Sequence, residues 1–399
     1  MTEREEYQQG GAAFVDPEGS AARLSAEPQL MYVDRAARCP VVHTGDKEAT
    51  LLKMGDILYV NKNRGVLQAA DLLGSNRPAI PLSLDGAEHT KYRRLLDPVF
   101  TAKRIAPLAD SVREVAHEMI DRFIERGEAD VYREWCEPLP GTIFISILGL
   151  PLDDLPNFLK FKNMVLGNEF ATLPFDEALA RRDEAVEWIQ QYFNRNLDER
   201  VTRDDPGDDL LGWLLTTEVE HERLSREDIL DILGLLMIAG LDTVAASLAC
   251  MLSYFARHPE QRAEVVADPT LWPSAIEELM RFESPVTEGG RIATEDLDLP
   301  SGEHISAGTQ MSVIWAAANL DPEYFTDPLT VDLRRSPNPH IGFASGFHRC
   351  LGSHLARMEM NVALEAWHQR IPDYEIAPGA TVVYTGNPRA PHHFPLVWS

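Results

Sequence analysis

Cysteine is scarce in this chain, and basic side chains are heavily outnumbered. Four cysteines, Cys39, Cys136, Cys250 and Cys350, are spread over 399 residues without a C-x-x-C pair. That spacing argues against a disulfide framework and against a cysteine-built zinc or iron–sulfur site. Each cysteine therefore has to be judged by its own surroundings. Lysine and arginine number 37 against 63 aspartates and glutamates, a formal charge of −26 with His neutral. A surface this acidic repels phosphate backbones and anionic lipid, which sets aside nucleic-acid binding and attachment to a bare membrane surface. The start MTEREEYQQG is polar and carries no apolar stretch of signal-peptide type. The most apolar run, from Ile229, is interrupted by Asp231 and followed by Asp242. It falls short of the roughly 18 uncharged apolar residues expected of a membrane span. The expectation is a soluble, cytoplasmic protein. Repeats, low-complexity tracts and interdomain linkers are also lacking, so residues 31–399 are expected to form one domain behind a loose polar arm, residues 1–30.

What is present is mostly helical in pattern. Residues 103–126 and 175–203 alternate apolar and charged positions at helical spacing, and the second run ends at Asp204-Asp205-Pro206-Gly207, a strong stop. Ser225-Arg226-Glu227-Asp228 has capping-box spacing, and no proline follows until Pro259. A helix of about thirty residues, roughly 45 Å long, is expected there. It is apolar on almost every face from Ile229 to Phe255, so it belongs in the centre of the molecule. Beyond residue 290 short extended runs alternate with Pro-Ser-Gly and Ala-Gly turns, and TVVYTG and HHFPLVW read as late strands. The predicted class is mainly α with small β-sheets.

Four groups of residues carry chemistry. Phe343-Ala344-Ser345-Gly346-Phe347-His348-Arg349-Cys350-Leu351-Gly352 sets Cys350 between glycines, directly before the helical run SHLARMEMNVALEAW. A helix N-terminus and free backbone N–H groups favour a thiolate. Glu278 and Arg281 stand three apart and share one helix face. Ala239-Gly240-Leu241-Asp242-Thr243 places a charge inside the apolar helix, which is costly unless a function or partner compensates. A threonine alone is explained by a bond back to a carbonyl one turn earlier, but the combination of Gly, Asp and Thr is not. His89 and Arg93, four apart on a helical stretch, can grip one anion together.

The frame Phe-x-x-Gly-x-His-x-Cys-x-Gly resembles the haem-ligand signature of the cytochromes P450, with Ala344 where the family usually has glycine. That replacement is expected to be a mild steric change. The other groups follow in the family's order from about residue 30, and Gly-Leu-Asp-Thr-Val is similar to bacterial camphor-type members. The resemblance implies the P450 fold, a helical triangular prism, holding haem b (iron protoporphyrin IX). It makes Cys350 the axial iron ligand and puts Phe343, His348 and Gly352 against the cofactor. His89, Arg93, Arg291 and His348 become propionate partners. Asp242 and Thr243 become an acid–alcohol pair that supplies protons. Glu278 and Arg281 become a buried core pair completed by Arg335, with Val331 standing where the family has an aromatic. It further implies a loop over the substrate near residues 60–85 and two pocket-covering helices within residues 153–203.

The implied activity is a monooxygenase that uses dioxygen and two electrons to hydroxylate an unactivated C–H bond. A flavin domain and an iron–sulfur cysteine cluster are both missing from the sequence, so the expected donor is a separate iron–sulfur ferredoxin with its reductase. Leu235, Ile238 and Ala239 are expected to face the haem, which implies a small-to-medium apolar substrate such as a terpenoid, fatty acid, aromatic or steroid. Residues 61–91 contain no tyrosine, so the hydroxyl that holds the ketone in camphor enzymes is lacking. A peroxide-driven haem-thiolate enzyme and a non-catalytic haem sensor are the alternatives. The Asp–Thr pair argues against the first, and the lack of an output domain against the second.

Overall fold

The computed structural model describes residues 40–69, 78–166, 173–219 and 222–399. The proposed arm, residues 1–30, lies outside the described residues, as do 70–77 of the expected substrate loop and 167–172 within the segment expected to cover the pocket. The central helix runs Arg226–Arg257 and opens with a complete capping box: the Ser225 side chain accepts from the Asp228 N–H, and the Asp228 side chain accepts from the Ser225 N–H. By length and composition this helix could cross a membrane, contrary to the reading from its charges. However, 83% of its most apolar stretch is buried inside the protein. Its N-terminal half packs into a core with Phe158, Phe193 and Leu197, and its C-terminal half into one with Trp135 and Trp367.

Around it stand the helices Ala109–Asp121, Pro138–Ile147, Leu155–Leu166, Phe175–Val201, Trp272–Glu283 and Ser353–Arg370. The run at 103–126 is not one helix. A short helix, Ala102–Ile105, gives way to a 3-10 turn, Ala106–Leu108, before Ala109–Asp121 begins. Pro107 lies in that turn and has no N–H to continue the ladder. The largest sheet orders its strands Val41–Gly45, Glu48–Leu51, Gln310–Ile314, Glu288–Ala293 and Val66–Ala69. Its pairings are antiparallel except between Gln310–Ile314 and Glu48–Leu51. Arg291 sits in that sheet opposite Met311 on one side and Gln68 on the other. TVVYTG and HHFPLVW contribute only the short strands Tyr384–Thr385 and Pro395–Val397.

Helix Trp272–Glu283 carries Glu278 and Arg281, both 0% exposed. The Arg281 guanidinium donates two bonds of 2.8 Å to the two Glu278 carboxylate oxygens. Arg335 Nε lies 3.0 Å from both of those oxygens, Asn338 Nδ2 donates at 3.1 Å, and the Asp332 N–H donates at 2.9 Å. The remaining Arg281 donors meet the carbonyls of Asn319, Pro328 and Thr330. Val331, where the family has an aromatic, is buried in the apolar core one residue before Asp332. A buried pair this fully satisfied is destructive to break, because removing one partner strands the other charge. Arg281→Ala is therefore expected to cost about 3–5 kcal/mol in a denaturant titration. A loss under about 1 kcal/mol, the range of an exposed pair, would show that the network is dispensable.

Candidate active site

A cavity of about 320 Å³ lies between the central helix and the cysteine loop. One helix face supplies Leu235, Leu236, Ala239, Gly240, Thr243, Val244 and Ser247. These positions repeat at the spacing of adjacent turns. Ile238 is not on that face. It is buried in the neighbouring apolar core, and Leu236 lines the cavity in its place. Gly240 admits the Phe144 ring, since a Cβ there would lie 2.7 Å from Phe144 Cδ2. The glycine that weakens the helix thus lets an aromatic wall close on the cavity.

Thr243 lines the cavity and its hydroxyl donates to the Ala239 carbonyl at 2.9 Å. Asp242, one residue back, points about 100° away around the helix axis. It is buried behind the helix, 2.9 Å from Lys162 Nζ and 3.3 Å from the Tyr132 hydroxyl, which donates to it. Lys162 also reaches Glu137 at 2.6 Å. Burial opposes the Lys162 charge, but Asp242 and Glu137 outweigh it and raise its pKa. The acid and the alcohol therefore do not share one space, and the surroundings of the acid, Tyr132, Glu137 and Lys162, were not revealed by the sequence pattern.

On the opposite wall the Cys350 N–H donates to the Phe343 carbonyl at 2.9 Å and closes the loop into a tight arch. Ala344 and Gly346 both have positive φ, 54° and 69°. Glycine suits such a conformation, whereas for alanine it costs roughly 1–2 kcal/mol. The Ala344 substitution is thus a backbone strain rather than a mild steric change. Cys350 is enclosed by protein yet open to the cavity. Burial pushes its thiol up, while the Gly352 N–H and the cations Arg93, Arg357 and Arg349 act in the opposite sense. Gly352 lines the cavity as well, and a Cβ there would meet nothing within 4 Å.

The rim beside Cys350 gathers basic side chains. The rings of His89 and His348 lie 4.3 Å apart, and Arg93 donates to the Arg349 carbonyl at 2.7 Å. All three of His89, Arg93 and His348 line the cavity, while Arg291 stands behind them, 3% exposed. Burial, followed by the charges of His348 and Arg93, drives His89 down to about 4. Burial likewise lowers Arg291 to about 10. His348 Nε2 meets Asp85 at 2.9 Å, but its Nδ1 is buried without a partner. Arg93 is already paired with Asp97 at 2.8 Å, but the buried Arg291 is bonded to neutral acceptors, Asn61 Oδ1 and the Gly290 carbonyl, and an anionic edge of a bound molecule would supply its counter-charge.

The family model of cytochrome P450 matches residues 62–370. The chain belongs to the cytochrome P450 family. It is 34% identical over 324 residues to the mycinamicin IV hydroxylase/epoxidase of Micromonospora griseorubida, covering 79% of each chain. It is 31% identical to the methyl-branched lipid omega-hydroxylase of Mycobacterium bovis, covering 89% of this chain and 85% of that one. Among solved structures, a myxobacterial cytochrome P450 in complex with myristic acid superposes with a TM-score of 0.83 at 29% identity, covering 96% of this chain and all of the other. The polyketide synthase P450 PksS of Bacillus subtilis gives 0.84 at 26% identity, over 94% and 98% of the two chains. Membership makes the protein a haem-thiolate monooxygenase whose iron protoporphyrin IX is bound through a cysteine thiolate. The residues fit that group: a cysteine opens on the cavity at a helix N-terminus, basic side chains line its rim, and behind them the buried Arg291 is bonded to neutral acceptors.

Glu359, nine residues beyond Cys350, also lines the cavity and was not singled out in the sequence. Its only trace there is an acid between two methionines, Met358 and Met360. Burial raises its carboxyl to about 8 from an ordinary 4.5. The unfolded chain ionises this group above pH 4.5 and the folded chain does not. Stability is therefore fully present below pH 4.5 and lost as pH rises toward 8. Glu359→Gln should remove that slope, so that its stability advantage grows between pH 5 and 8, reaching at most about 4 kcal/mol. Denaturant midpoints measured across this range would contradict the assignment if the two profiles ran parallel.

Proposed function

We propose that this P450 hydroxylates an apolar, lipid-like substrate, with Cys350 as the axial thiolate and Thr243 as the hydroxyl facing the reacting centre. One observation carries the reading: Cys350 and Thr243 face the same cavity from opposite walls. Haem bound there supplies dioxygen activation, which a thiolate ligand favours by donating electron density. His89, Arg93 and His348, with Arg291 behind them, would hold the propionates, and Phe343 and Gly352 would lie against the macrocycle. Leu235, Leu236, Ala239 and Phe144 would exclude water and accept the substrate's hydrocarbon. A terpenoid, fatty acid, aromatic compound or steroid matches such walls. The names of two relatives, a methyl-branched lipid hydroxylase and a P450 crystallised with myristic acid, favour the fatty-acid class.

Asp242 would serve as the proton reservoir. Its carboxylate is held by Lys162 and Tyr132, and release from Lys162 would let it turn toward Thr243 Oγ1. Electrons would arrive from an iron–sulfur ferredoxin with its reductase. The exposed Arg349, next to the ligand, and Phe347, 50% exposed beside Arg64, provide a cationic and apolar contact for an acidic partner. Such docking is steered by charge and weakened by salt. The soluble, cytoplasmic setting belongs to the same reading.

Two variants test it. Cys350→Ala should lose hydroxylation and the iron–sulfur stretching band in resonance Raman spectra. A band that survives the substitution would reject Cys350 as ligand. Thr243→Ala should keep consuming NAD(P)H through the reductase chain while product per electron pair falls several-fold and peroxide rises. Unchanged coupling would leave Thr243 with only its bond back to the Ala239 carbonyl one turn earlier. The substrate class is read from the high-spin shift on titration with long-chain fatty acids, steroids and terpenoids.

A further inference from the structure

Behind the cationic rim lies a polar contact that the mechanism above does not use. Asn61 stands in the last turn of the helix Met54–Lys62 and is 5% exposed. Its buried neighbours on this helix are the apolar Met54, Ile57 and Val60 and the acid Asp56. An amide buried there has to be satisfied. Its Oδ1 accepts from Arg291 Nε at 3.0 Å, and its Nδ2 donates to Ser345 Oγ at 2.9 Å. This orientation is the one the partners allow, because a guanidinium only donates and the amide oxygen must face it. The backbone of the same residue is in contact as well. A Cβ on Gly346 would lie 2.0 Å from the Asn61 carbonyl oxygen, so the loop rests directly on the end of this helix. Gly346 also takes the left-handed conformation, φ 69°.

We infer that Asn61 is a positioning residue whose amide fixes Arg291 and the loop carrying Cys350 in one register. The two attachments of the cofactor, its acidic edge and its iron, lie on separate pieces of chain: the strand Glu288–Ala293 and the turn before Ser353. Asn61 bonds to both. Arg291 finds another acceptor at the Gly290 carbonyl, 2.7 Å from Nη1, but that contact is local and does not reach the loop. A neutral amide also suits the position better than a carboxylate. Aspartate could accept from both Arg291 and the Ser345 hydroxyl, yet it would neutralise the cation that an anionic group is meant to find. The geometry therefore accounts for asparagine, a neutral acceptor for Arg291 and a donor to Ser345, at this buried position.

This inference rests on the reading of Arg291 as a cofactor-edge cation and of Cys350 as the ligand, and the test separates the two. The haem-loaded protein and the variants Asn61→Ala, Asn61→Asp, Arg291→Ala and Asn61→Ala/Arg291→Ala are mixed with excess apomyoglobin, and the rate of haem transfer is followed by absorbance. Loss of one hydrogen bond to a charged group corresponds to about a tenfold faster release for Asn61→Ala and for Arg291→Ala. The double variant should release haem no faster than the faster single variant, because both changes break the same connection. Asn61→Asp, of nearly equal volume, should also release haem about tenfold faster while keeping its thermal midpoint, since its carboxylate competes for Arg291. Should Asn61→Ala fail to fold, the aspartate variant decides alone. Multiplying effects in the double variant, or an Asn61→Asp rate equal to that of the parent, would overturn the inference while leaving Arg291 in its role. An Arg291→Ala rate equal to that of the parent would overturn both.

Discussion

The carboxylate of Glu278 is the fixed point from which the site is built. It accepts from Arg281, Arg335, Asn338 and the Asp332 backbone, and so joins the helix Trp272–Glu283 to the irregular chain that runs on toward Cys350. That chain has little regular structure of its own, and side chains take over the work of a backbone ladder. Asn319 extends the same frame. Its carbonyl accepts from Arg281, its amide donates to Ser284, and its Oδ1 accepts from the Ile341 N–H at 2.7 Å, two residues before the loop begins. A loop strained at Ala344 keeps one shape because its entry is held at both ends, by this frame and by the helix Ser353–Arg370.

Charge is distributed across the molecule with the same economy. The surface is strongly acidic, yet the cavity rim is cationic and the cavity walls are apolar. The acid of the central helix is turned away from the cavity and neutralised by Lys162, so the cavity carries no ionised carboxylate from that face. Glu359 lines the opposite side as a neutral acid at ordinary pH, because burial lifts its carboxyl to about 8. What is left for a bound molecule is a hydrophobic space with one thiol, the hydroxyl-bearing Thr243 and Ser247, and a basic rim.

The central helix was legible in the sequence because its signals are local: a capping box at Ser225, no proline before Pro259, and apolar residues on all faces. The Glu278–Arg281 pair and the cysteine frame were legible as patterns, and Arg335 fell where the family places it. Other features depend on facing and could not be read. Spacing alone did not reveal that Asp242 and Thr243 look into different spaces, or that Leu236 rather than Ile238 reaches the cavity. The break at Pro107 was visible in the sequence but outweighed by the helical spacing around it. Asn61 and Glu359 were missed because each is a single polar residue within an ordinary helix pattern, and only the tertiary neighbours give either a role.

The central claim is that a cysteine thiolate holds haem iron in this cavity, and the absorbance of the reduced, carbon-monoxide-bound protein tests it most directly. The account predicts a Soret band strongly shifted to the red of that seen with a histidine ligand, formed by the purified wild-type protein without denaturation. A Soret band at the histidine-type position in freshly prepared, folded protein would contradict it.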